Sequence, residues 1–447
     1  MTDNELPVSS AKPLQLRVEL IAGLSTYLTL SYIFVLNPIL LARAGIDPSQ
    51  AFAATILSAA AATLLMGLWA RLPFAVASAP SITTFFVSYV VLSMGLSWQA
   101  ALIAVIVSGF ISMGMTALSL RGKIVAAIPN GLRTGLLFSI SGFLIANGLT
   151  QAKIVNFSSG FMGLGVAGPS AGILAGIFVF SVGLVTTLLL QTKALRFSGA
   201  PLVGILMATL VCISLGITTT TNVSFSWNML GVPAELINWL RISDIAHVIT
   251  WEFVFAAFIF FVIDFFSGVG KFVGLFTAAG VETARDEEGK FGKALYVDGA
   301  GTVVGGVLGG ASLAVFISSA VGVAAGGRSG VTAVTIASLI LLSFAFIPLV
   351  GAIPAEAVSG ILAYVALLLP VVALRRSEFT LTRFDVIVCG AAFAISLLTY
   401  AIDRSMLLLF VCYTAKELFA GDKRASPILV ITTLLLGFAV LFQAFAG

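Results

Sequence analysis

Two ionisable side chains lie within a long apolar run of this chain, residues 250–279. Asp264 and Lys271 are seven positions apart with Ser267 between them, so in a helix the three side chains share one face. The two charges are then separated by roughly 10 Å along the helix axis. A buried carboxylate can carry a proton, and a buried ammonium can bind a polar or anionic ligand. This face is a candidate site for ion coupling or ligand binding, and a structural ion pair between helix bundles is the alternative interpretation.

Two runs of small residues contain further polar side chains. Residues 75–81 read Ala-Val-Ala-Ser-Ala-Pro-Ser and are followed by Thr83, whereas residues 309–316 read Gly-Gly-Ala-Ser-Leu-Ala-Val-Phe and are followed by Ser318 and Ser319. Each run precedes a short predicted helix. At such a helix start the backbone N–H groups are free, so hydroxyl groups there can bond a polar ligand. Capping of the helix is the commoner use of serine at this position.

The composition around these sites indicates an integral membrane protein. The chain has 447 residues, of which 59% are apolar and 9% are charged, and its mean hydropathy is +1.13. Soluble proteins carry charge at roughly a quarter of their positions, because a water-facing surface requires polar cover. The net charge of +4 comes from basic residues scattered between apolar runs, so no nucleic-acid partner is predicted. The first apolar run is too long for a signal peptide and is interpreted as a retained span.

The cysteines and the histidine exclude several classes of chemistry. The single histidine, His247, allows neither an HExxH zinc site nor a Ser-His-Asp set. Cys212, Cys389 and Cys412 lie inside apolar runs, which excludes a disulfide framework and a Cys-based metal site. No phosphate-binding loop of the GxxxxGK[ST] type occurs, so ATP-driven transport is not predicted. We therefore predict no enzyme activity and no cofactor.

Apolar segments of about 20 residues predict an all-α polytopic membrane protein with about 14 transmembrane spans. The predicted spans are 18–42, 51–70, 74–95, 98–119, 132–150, 169–190, 197–217, 250–279, 294–311, 316–326, 329–350, 354–374, 381–400 and 427–446. Residues 404–420 are amphipathic and predict a further short crossing or a re-entrant segment. The chain, 1–447, is then one membrane transporter domain. A membrane receptor or scaffold is disfavoured because no soluble output domain is predicted.

The lysines and arginines orient the predicted spans. Basic residues precede the first span or follow even-numbered spans at Lys12, Arg17, Arg71, Arg121, Lys123, Lys193, Arg196, Arg285, Lys290 and Lys293. The alternate loops carry Arg43, Lys153 and Arg241, and Lys423 and Arg424 near the C-terminus fit this scheme less well. By the positive-inside rule the N-terminus is cytoplasmic and the loop 218–249 is external. The pattern is typical of a bacterial inner-membrane protein.

The two small-residue runs occupy corresponding positions in the two halves of the chain. They interrupt the third span and the region of the ninth and tenth spans, seven spans later. Paired interruptions of this kind indicate an inverted-repeat transporter with a binding site near the bilayer midplane. We predict a first repeat over 18–217, a second over 250–446, and broken third and tenth spans. Arg328, between two spans, is predicted to cap a helix end or to bind carbonyl groups.

Three segments resemble a known transporter family. Residues 29–38 read Thr-Leu-Ser-Tyr-Ile-Phe-Val-Leu-Asn-Pro, and residues 317–330 end in Gly-Gly-Arg-Ser-Gly, which is the most specific of the three. Together with the spacing of the eighth span, they resemble the nucleobase–cation symporter-2 superfamily, and specifically its hypoxanthine/guanine/adenine permease branch. The resemblance covers most of the chain.

The resemblance implies two intertwined inverted repeats of seven spans, divided into a core domain and a gate domain. It also implies proton-driven uptake of a purine or related base in a lipid bilayer, and relatives of this fold are often dimers. The substrate is expected between the third and tenth half-helices and the eighth span. The residues placed there are Ser81, Thr83, Ser267, Lys271, Phe316, Ser318 and Ser319, with Phe316 stacking on the ring.

The sequence departs from the family pattern at three of these positions. Ser267 and Ser318 stand where relatives carry a substrate-binding Asp and Glu, and Lys271 replaces a threonine, so the site is less acidic by about three charges. Asp264 is the core carboxylate that remains on the eighth span for coupling. The leading hypothesis is a nucleobase transporter. The alternative is a transporter of a small anion or anionic aromatic compound that uses Lys271 and the half-helix N-termini.

Overall fold

Helices form almost all of the described chain, because a backbone at membrane depth must satisfy its own hydrogen bonds. The computed structural model describes residues 16–118, 129–157, 162–164, 170–192, 195, 197, 199–217, 250–279, 289–316, 318–346, 353–376, 382–419, 429–434 and 436–437. The predicted external loop 218–249, with His247, lies outside these residues, as does most of the predicted span 427–446.

The first half of the chain contains eight described helices and three short strands. They are α1 (Leu16–Leu30), α2 (Ile33–Arg43), α3 (Pro48–Leu68), β1 (Val76–Ser78), α4 (Pro80–Thr84), which continues as a π-helix over Phe85–Val91, α5 (Trp98–Ala117), α6 (Asn130–Gln151), β2 (Val155–Asn156), β3 (Gly163–Leu164), α7 (Ser170–Leu190) and α8 (Ala200–Ser214). The first predicted span, 18–42, is thus divided into α1 and α2, with Tyr32 between them.

The second half contains seven helices and one strand with defined bounds, and residues 429–434 and 436–437 are also helical. They are α9 (Trp251–Ala279), α10 (Lys290–Leu308), β4 (Leu313–Val315), α11 (Ser319–Ala324), α12 (Gly330–Leu342) with a 3₁₀ turn over Ser343–Phe346, a 3₁₀ turn over Ala355–Val358, α13 (Ser359–Arg376), α14 (Arg383–Thr399) and α15 (Ile402–Phe419). The amphipathic segment 404–420 therefore lies almost entirely within one continuous helix, α15.

Several of these helices are long and apolar enough to cross a membrane. Among the described residues they are Leu16–Arg43, Pro48–Leu68, Trp98–Ala117, Gly131–Gln151 and Gly172–Leu190. Shorter apolar helices occur at Pro80–Val91, Ala200–Ser214, Gly330–Ala345 and Glu356–Val371.

The fold is mostly helical, as predicted, but the two small-residue runs, which were predicted to interrupt spans, form strands before their short helices. β1 and β4 pair antiparallel in the register Val76↔Val315, Ala77↔Ala314 and Ser78↔Leu313. The Phe316 N–H extends the ladder by donating to the Ala75 carbonyl oxygen at 2.9 Å. Each strand thus satisfies backbone groups of the other inside the protein, which is the condition for extended chain at membrane depth.

The helices pack into two bundles. Helices α1 to α5 pack with α9 to α12 around the strand pair, and this group is called the first bundle. Helices α6 to α8 pack with α13 to α15, and this group is called the second bundle. Each bundle combines helices from both halves of the chain.

The Gly-Gly-Arg-Ser-Gly run, 326–330, joins α11 to α12. One guanidinium nitrogen of Arg328, Nη1, donates to the carbonyl oxygens of Val323 at 2.5 Å and Gly327 at 2.9 Å. Arg328 therefore caps the end of α11, as the sequence predicted. The buried Glu19 carboxylate of α1 accepts the Arg328 N–H at 3.1 Å and so fixes the start of the connection to α12.

The last glycine of this run permits close helix packing. An ideal Cβ on Gly330 would lie 1.9 Å from the carbonyl oxygen of Gly67 on α3. Any larger residue at this position would force α3 and α12 apart.

Candidate functional site

The antiparallel strand pair joins the two segments that contain the predicted site residues of the two halves. Ser81 lies in the first turn of α4, directly after β1, and is half-buried. Phe316 and Ser318 follow β4, before α11. Residues more than 230 positions apart in the chain are thus placed on the two sides of one strand crossing.

A buried asparagine, Asn37 of α2, holds this crossing in place. Its Nδ2 donates to the hydroxyl of Thr55 at 2.8 Å and to the carbonyl oxygen of Gly310 at 3.4 Å, and its Oδ1 accepts from the Thr83 hydroxyl at 2.6 Å. The Ser78 hydroxyl donates to the same Gly310 oxygen at 3.0 Å. Thr83 is fully buried, and its hydroxyl is engaged by Asn37.

Ser318 and Ser319 have different environments although they are adjacent. The Ser319 hydroxyl is buried and accepts the backbone N–H of Ala75 at 2.9 Å, so it joins α11 to the residue before β1. The Ser318 oxygen is also buried, but it has no hydrogen-bond partner within the described part of the chain. A buried hydroxyl without a partner is costly, and a polar ligand can supply the missing bond.

Two aromatic rings, those of Phe316 and Tyr32, pack together beside the end of β4. Phe316 is 9% exposed, and its ring meets Tyr32 edge-on, with 6.5 Å between centroids and 60° between planes. Tyr32 lies between α1 and α2, and Tyr364 of α13 in the second bundle is near enough to interact with it electrostatically. Tyr32 was not among the predicted site residues, because 18–42 was predicted as one continuous span and the interruption beside Tyr32 is seen only in the structure.

Asp264 lies on α9, where it is 2% exposed. Its Oδ2 accepts from the hydroxyl of Thr302 on α10 at 2.9 Å. Lys271, two turns further along α9, is half-buried, whereas the side chain of Ser267 lies outside the described structure. Thr302 was missed in the sequence analysis, because a threonine inside a helix has no distinctive spacing.

A second buried carboxylate lies one turn before Thr302. The Oδ1 atom of Asp298 accepts the backbone N–H of Val315, the last residue of β4, at 3.0 Å. α10 therefore contacts β4 through polar side chains near both of the strand's ends.

Comparison with known proteins identifies the family. The xanthine/uracil permease family, described as "Permease family", matches residues 17–403. The chain belongs to this family, the nucleobase–cation symporter-2 permeases. Its members are permeases, so the chain is a multi-pass membrane transporter and not an enzyme.

Relatives in the permease family match almost the whole chain. The adenine permease AdeP of Escherichia coli is 30% identical over 444 residues, covering 95% of this chain and 93% of the relative. The guanine/hypoxanthine permease PbuO of Bacillus subtilis is 32% identical and covers 96% and 97%. A putative permease of Methanocaldococcus jannaschii is 33% identical and covers 91% and 90%.

Solved structures show the same fold outside the permease family. The transmembrane domain of the cyanobacterial bicarbonate transporter BicA superposes with a TM-score of 0.62 at 16% identity, covering 88% of this chain and 97% of that domain. The murine anion transporter Slc26a9 superposes with a TM-score of 0.61 at 11% identity, covering 92% and 70%. At these identities the likeness concerns the fold alone.

Proposed function

We propose that this permease is a secondary active transporter of a purine-type nucleobase or a similar small heterocycle. It works by alternating access and is coupled to protons. The observation that carries the proposal is the chain-long similarity to adenine and guanine/hypoxanthine permeases at 30% and 32% identity. The anion transporters share only the fold, at 16% identity or less, so the anion alternative is not favoured.

The architecture proposed for this function is a pair of inverted repeats, 18–217 and 250–446, with seven spans each and broken third and tenth spans. The matching order of β1 before α4 and β4 before α11 supports it. The first bundle corresponds to the core domain and the second to the gate domain. A cytoplasmic N-terminus and a homodimer remain predictions.

Alternating access requires that the two bundles meet through contacts that can break. Asn147 of α6 donates to the hydroxyl of Ser88 in the first bundle at 2.7 Å and to the hydroxyl of Tyr400 in its own bundle at 2.7 Å. Asn147 is fully buried. This polar contact is compatible with a state in which the two bundles are closed against each other at Asn147. Relative movement of the bundles would replace the hydrogen bond between Asn147 and Ser88 by bonds to water.

The proposed binding site combines one ring surface with neutral hydroxyl groups. Phe316 would stack on the base, and Ser318 would bond a ring nitrogen or exocyclic group, because a hydroxyl can donate or accept. Ser81 of α4 is proposed to line the site as well, and Ser267 and Lys271 are proposed to reach it from α9. Thr83 and Ser319 would shape the site rather than contact the base, since their hydroxyls are engaged within the protein.

A binding screen on the purified permease tests the proposed substrate class. Adenine, guanine, hypoxanthine, xanthine, uracil and bicarbonate would be compared by ligand-induced thermal stabilisation. A ligand at about 100 times its Kd adds about 2.7 kcal/mol to the free energy of unfolding, which shifts the melting temperature measurably. We expect stabilisation by at least one purine. Stabilisation by bicarbonate alone would contradict the proposal.

The two adjacent serines give a matched pair of variants. Ser318→Ala is expected to weaken binding of the stabilising base about fivefold to tenfold without lowering the melting temperature of the free protein, because its buried hydroxyl bonds nothing in the described chain. Ser319→Ala is expected to cost about 1–3 kcal/mol of stability, since it leaves the Ala75 N–H buried without an acceptor. Thermal unfolding and base titration measure both effects. Equal losses of affinity with unchanged stability in the two variants would refute this assignment.

A further inference from the structure

Thr302 lies at the centre of a crowded set of hydrogen-bond acceptors. It is fully buried on α10, and its Oγ1 is 2.9 Å from Asp264 Oδ2 on α9 and 2.9 Å from the Leu313 carbonyl oxygen of β4. The carbonyl oxygen of Asp298, one turn back in its own helix, is 3.3 Å away. The ordinary bond of a helical threonine to the carbonyl four residues earlier is therefore the longest of the three contacts.

These neighbours compete for a single proton. A threonine hydroxyl has one hydrogen to donate, a carbonyl oxygen only accepts, and an ionised carboxylate only accepts. When Asp264 is ionised, Thr302 donates to it, and the Leu313 carbonyl loses this donor. When Asp264 is protonated, the carboxylic acid can donate to Thr302, and Thr302 is free to donate to Leu313. The Thr302 hydroxyl can therefore donate to either Asp264 or the Leu313 carbonyl, and the protonation state of Asp264 determines which of the two accepts the bond.

We propose that Thr302 is a positioning residue that transmits the protonation state of Asp264 to strand β4 and so to the binding site. This inference rests on the proposed proton-coupled transport. Leu313 begins β4 and pairs with Ser78, and the strand leads directly to Phe316 and Ser318. When Asp264 is protonated, the Thr302 hydroxyl of α10 donates to the Leu313 carbonyl of β4. When Asp264 is deprotonated, that hydrogen bond is lost. The positions of the Phe316 ring and of the Ser318 hydroxyl then depend on whether Asp264 carries a proton.

The other end of the strand is held independently. Asp298 Oδ1 accepts the Val315 N–H at 3.0 Å, so release at Leu313 leaves one anchor in place. The Ser312 hydroxyl, 3.3 Å from Thr302 Oγ1, can exchange a hydrogen bond with it but is not in the path between Asp264 and Leu313. The strand also remains paired with β1 and bonded to Ala75, so it would shift locally at Leu313 rather than detach.

Few charged groups share this environment. Lys271 lies on the same helix as Asp264, two turns away. Of the elements packed against α9, β4, α4, α5 and α11 contain no ionisable side chain. The others contribute Asp298, Lys290, Lys293 and Tyr296 on α10, Arg133 on α6, and Tyr89 on the π-helix whose Phe85 ring contacts Phe260. Asp298 is thus the other carboxylate beside Thr302.

The test compares three variants in proteoliposomes with radiolabelled adenine, or with whichever purine stabilises the wild type. Thr302→Val keeps the shape of the side chain and removes the hydroxyl, Thr302→Ser keeps the hydroxyl, and Ser312→Ala is the matched control. Binding would be titrated across a pH series, and accumulation would be measured with and without an inward proton gradient. Thr302→Cys, which keeps the volume with a poor donor, replaces the valine variant where that one folds in low yield.

We expect the Kd of Thr302→Val for the base to lie within about threefold of the wild-type value, but its binding should no longer depend on pH. Its gradient-driven accumulation should be at least about tenfold lower than that of wild type. Thr302→Ser and Ser312→Ala should keep the wild-type pH profile. A valine variant with the wild-type pH profile and full accumulation overturns the inference. So does a serine variant that behaves like valine, because that result indicates a packing role. Wild-type protein that binds no nucleobase instead overturns the proposed function itself.

Discussion

Asp264→Asn is expected to abolish proton-driven accumulation of the nucleobase but to leave exchange of the base across the membrane intact. In the proposed function this carboxyl group, which is 2% exposed and bonds Thr302 inside the first bundle, carries the coupled proton. An asparagine cannot titrate, but its amide can donate to the Thr302 hydroxyl in the way a protonated acid does. The variant should therefore fold and resemble the protonated state permanently.

The measurement is uptake into proteoliposomes with an imposed proton gradient, compared with counterflow of labelled base without one. Accumulation should fall at least about tenfold, whereas counterflow should stay within about threefold of wild type. Glu252→Gln is the matched control, since Glu252 lies half-buried in the first turn of the same helix. Undiminished accumulation by Asp264→Asn would show that another group, or no group, carries the proton.

Asn37→Ala is expected to destabilise the permease and to eliminate transport. The substitution removes the bonds from Asn37 to Thr55, Thr83 and Gly310 at once. Thr55 keeps its bond to the Ala51 carbonyl and Gly310 keeps the bond from Ser78, whereas the buried Thr83 hydroxyl is left without a partner among the described residues. Three lost bonds at about 0.5–1.5 kcal/mol each and one unpaired hydroxyl at about 1–3 kcal/mol give an expected loss of about 3–5 kcal/mol in the free energy of unfolding. Because Thr83 belongs to α4 and Gly310 precedes β4, the crossing of the two halves should loosen at the binding site.

Thermal unfolding and base titration of the purified variant measure these effects. Thr29→Ala serves as the control, because the Thr29 hydroxyl bonds only the Ser25 carbonyl of its own helix at 2.8 Å among the contacts described. The control should unfold close to wild type. If Asn37→Ala unfolds at the wild-type temperature and binds normally, Asn37 does not hold the crossing.

The class and family of this protein followed from its sequence. The apolar fraction of 59% over 447 residues makes transfer of the chain from water to lipid favourable. This transfer free energy is a sum over residues and does not depend on how the helices pack. The segments 29–38 and 317–330 resembled the permease family before any contact was known, and the family match confirms it. The carbonyl-capping role of Arg328 was also predictable, because a helix end needs donors or acceptors close by in the chain.

The local breaks were predictable, but their strand pairing was not. The small residues and Pro80 predicted that helix would stop in residues 75–81 and 309–316. Three-residue strands are too short to show an alternating pattern, so nothing in the local sequence distinguished them from loops. The register that opposes Val76 to Val315 depends on contacts between distant parts of the chain.

Tertiary structure alone decided which hydroxyl groups are free. Ser318 and Ser319 are adjacent and chemically identical, but the Ala75 N–H approaches only Ser319, whereas the buried Ser318 hydroxyl has no partner among the described residues. Thr83 and Thr302 likewise acquired their roles from partners on other helices. Hydropathy and motif residues are properties of a segment, whereas a hydrogen bond is a property of two atoms whose separation only the folded chain determines.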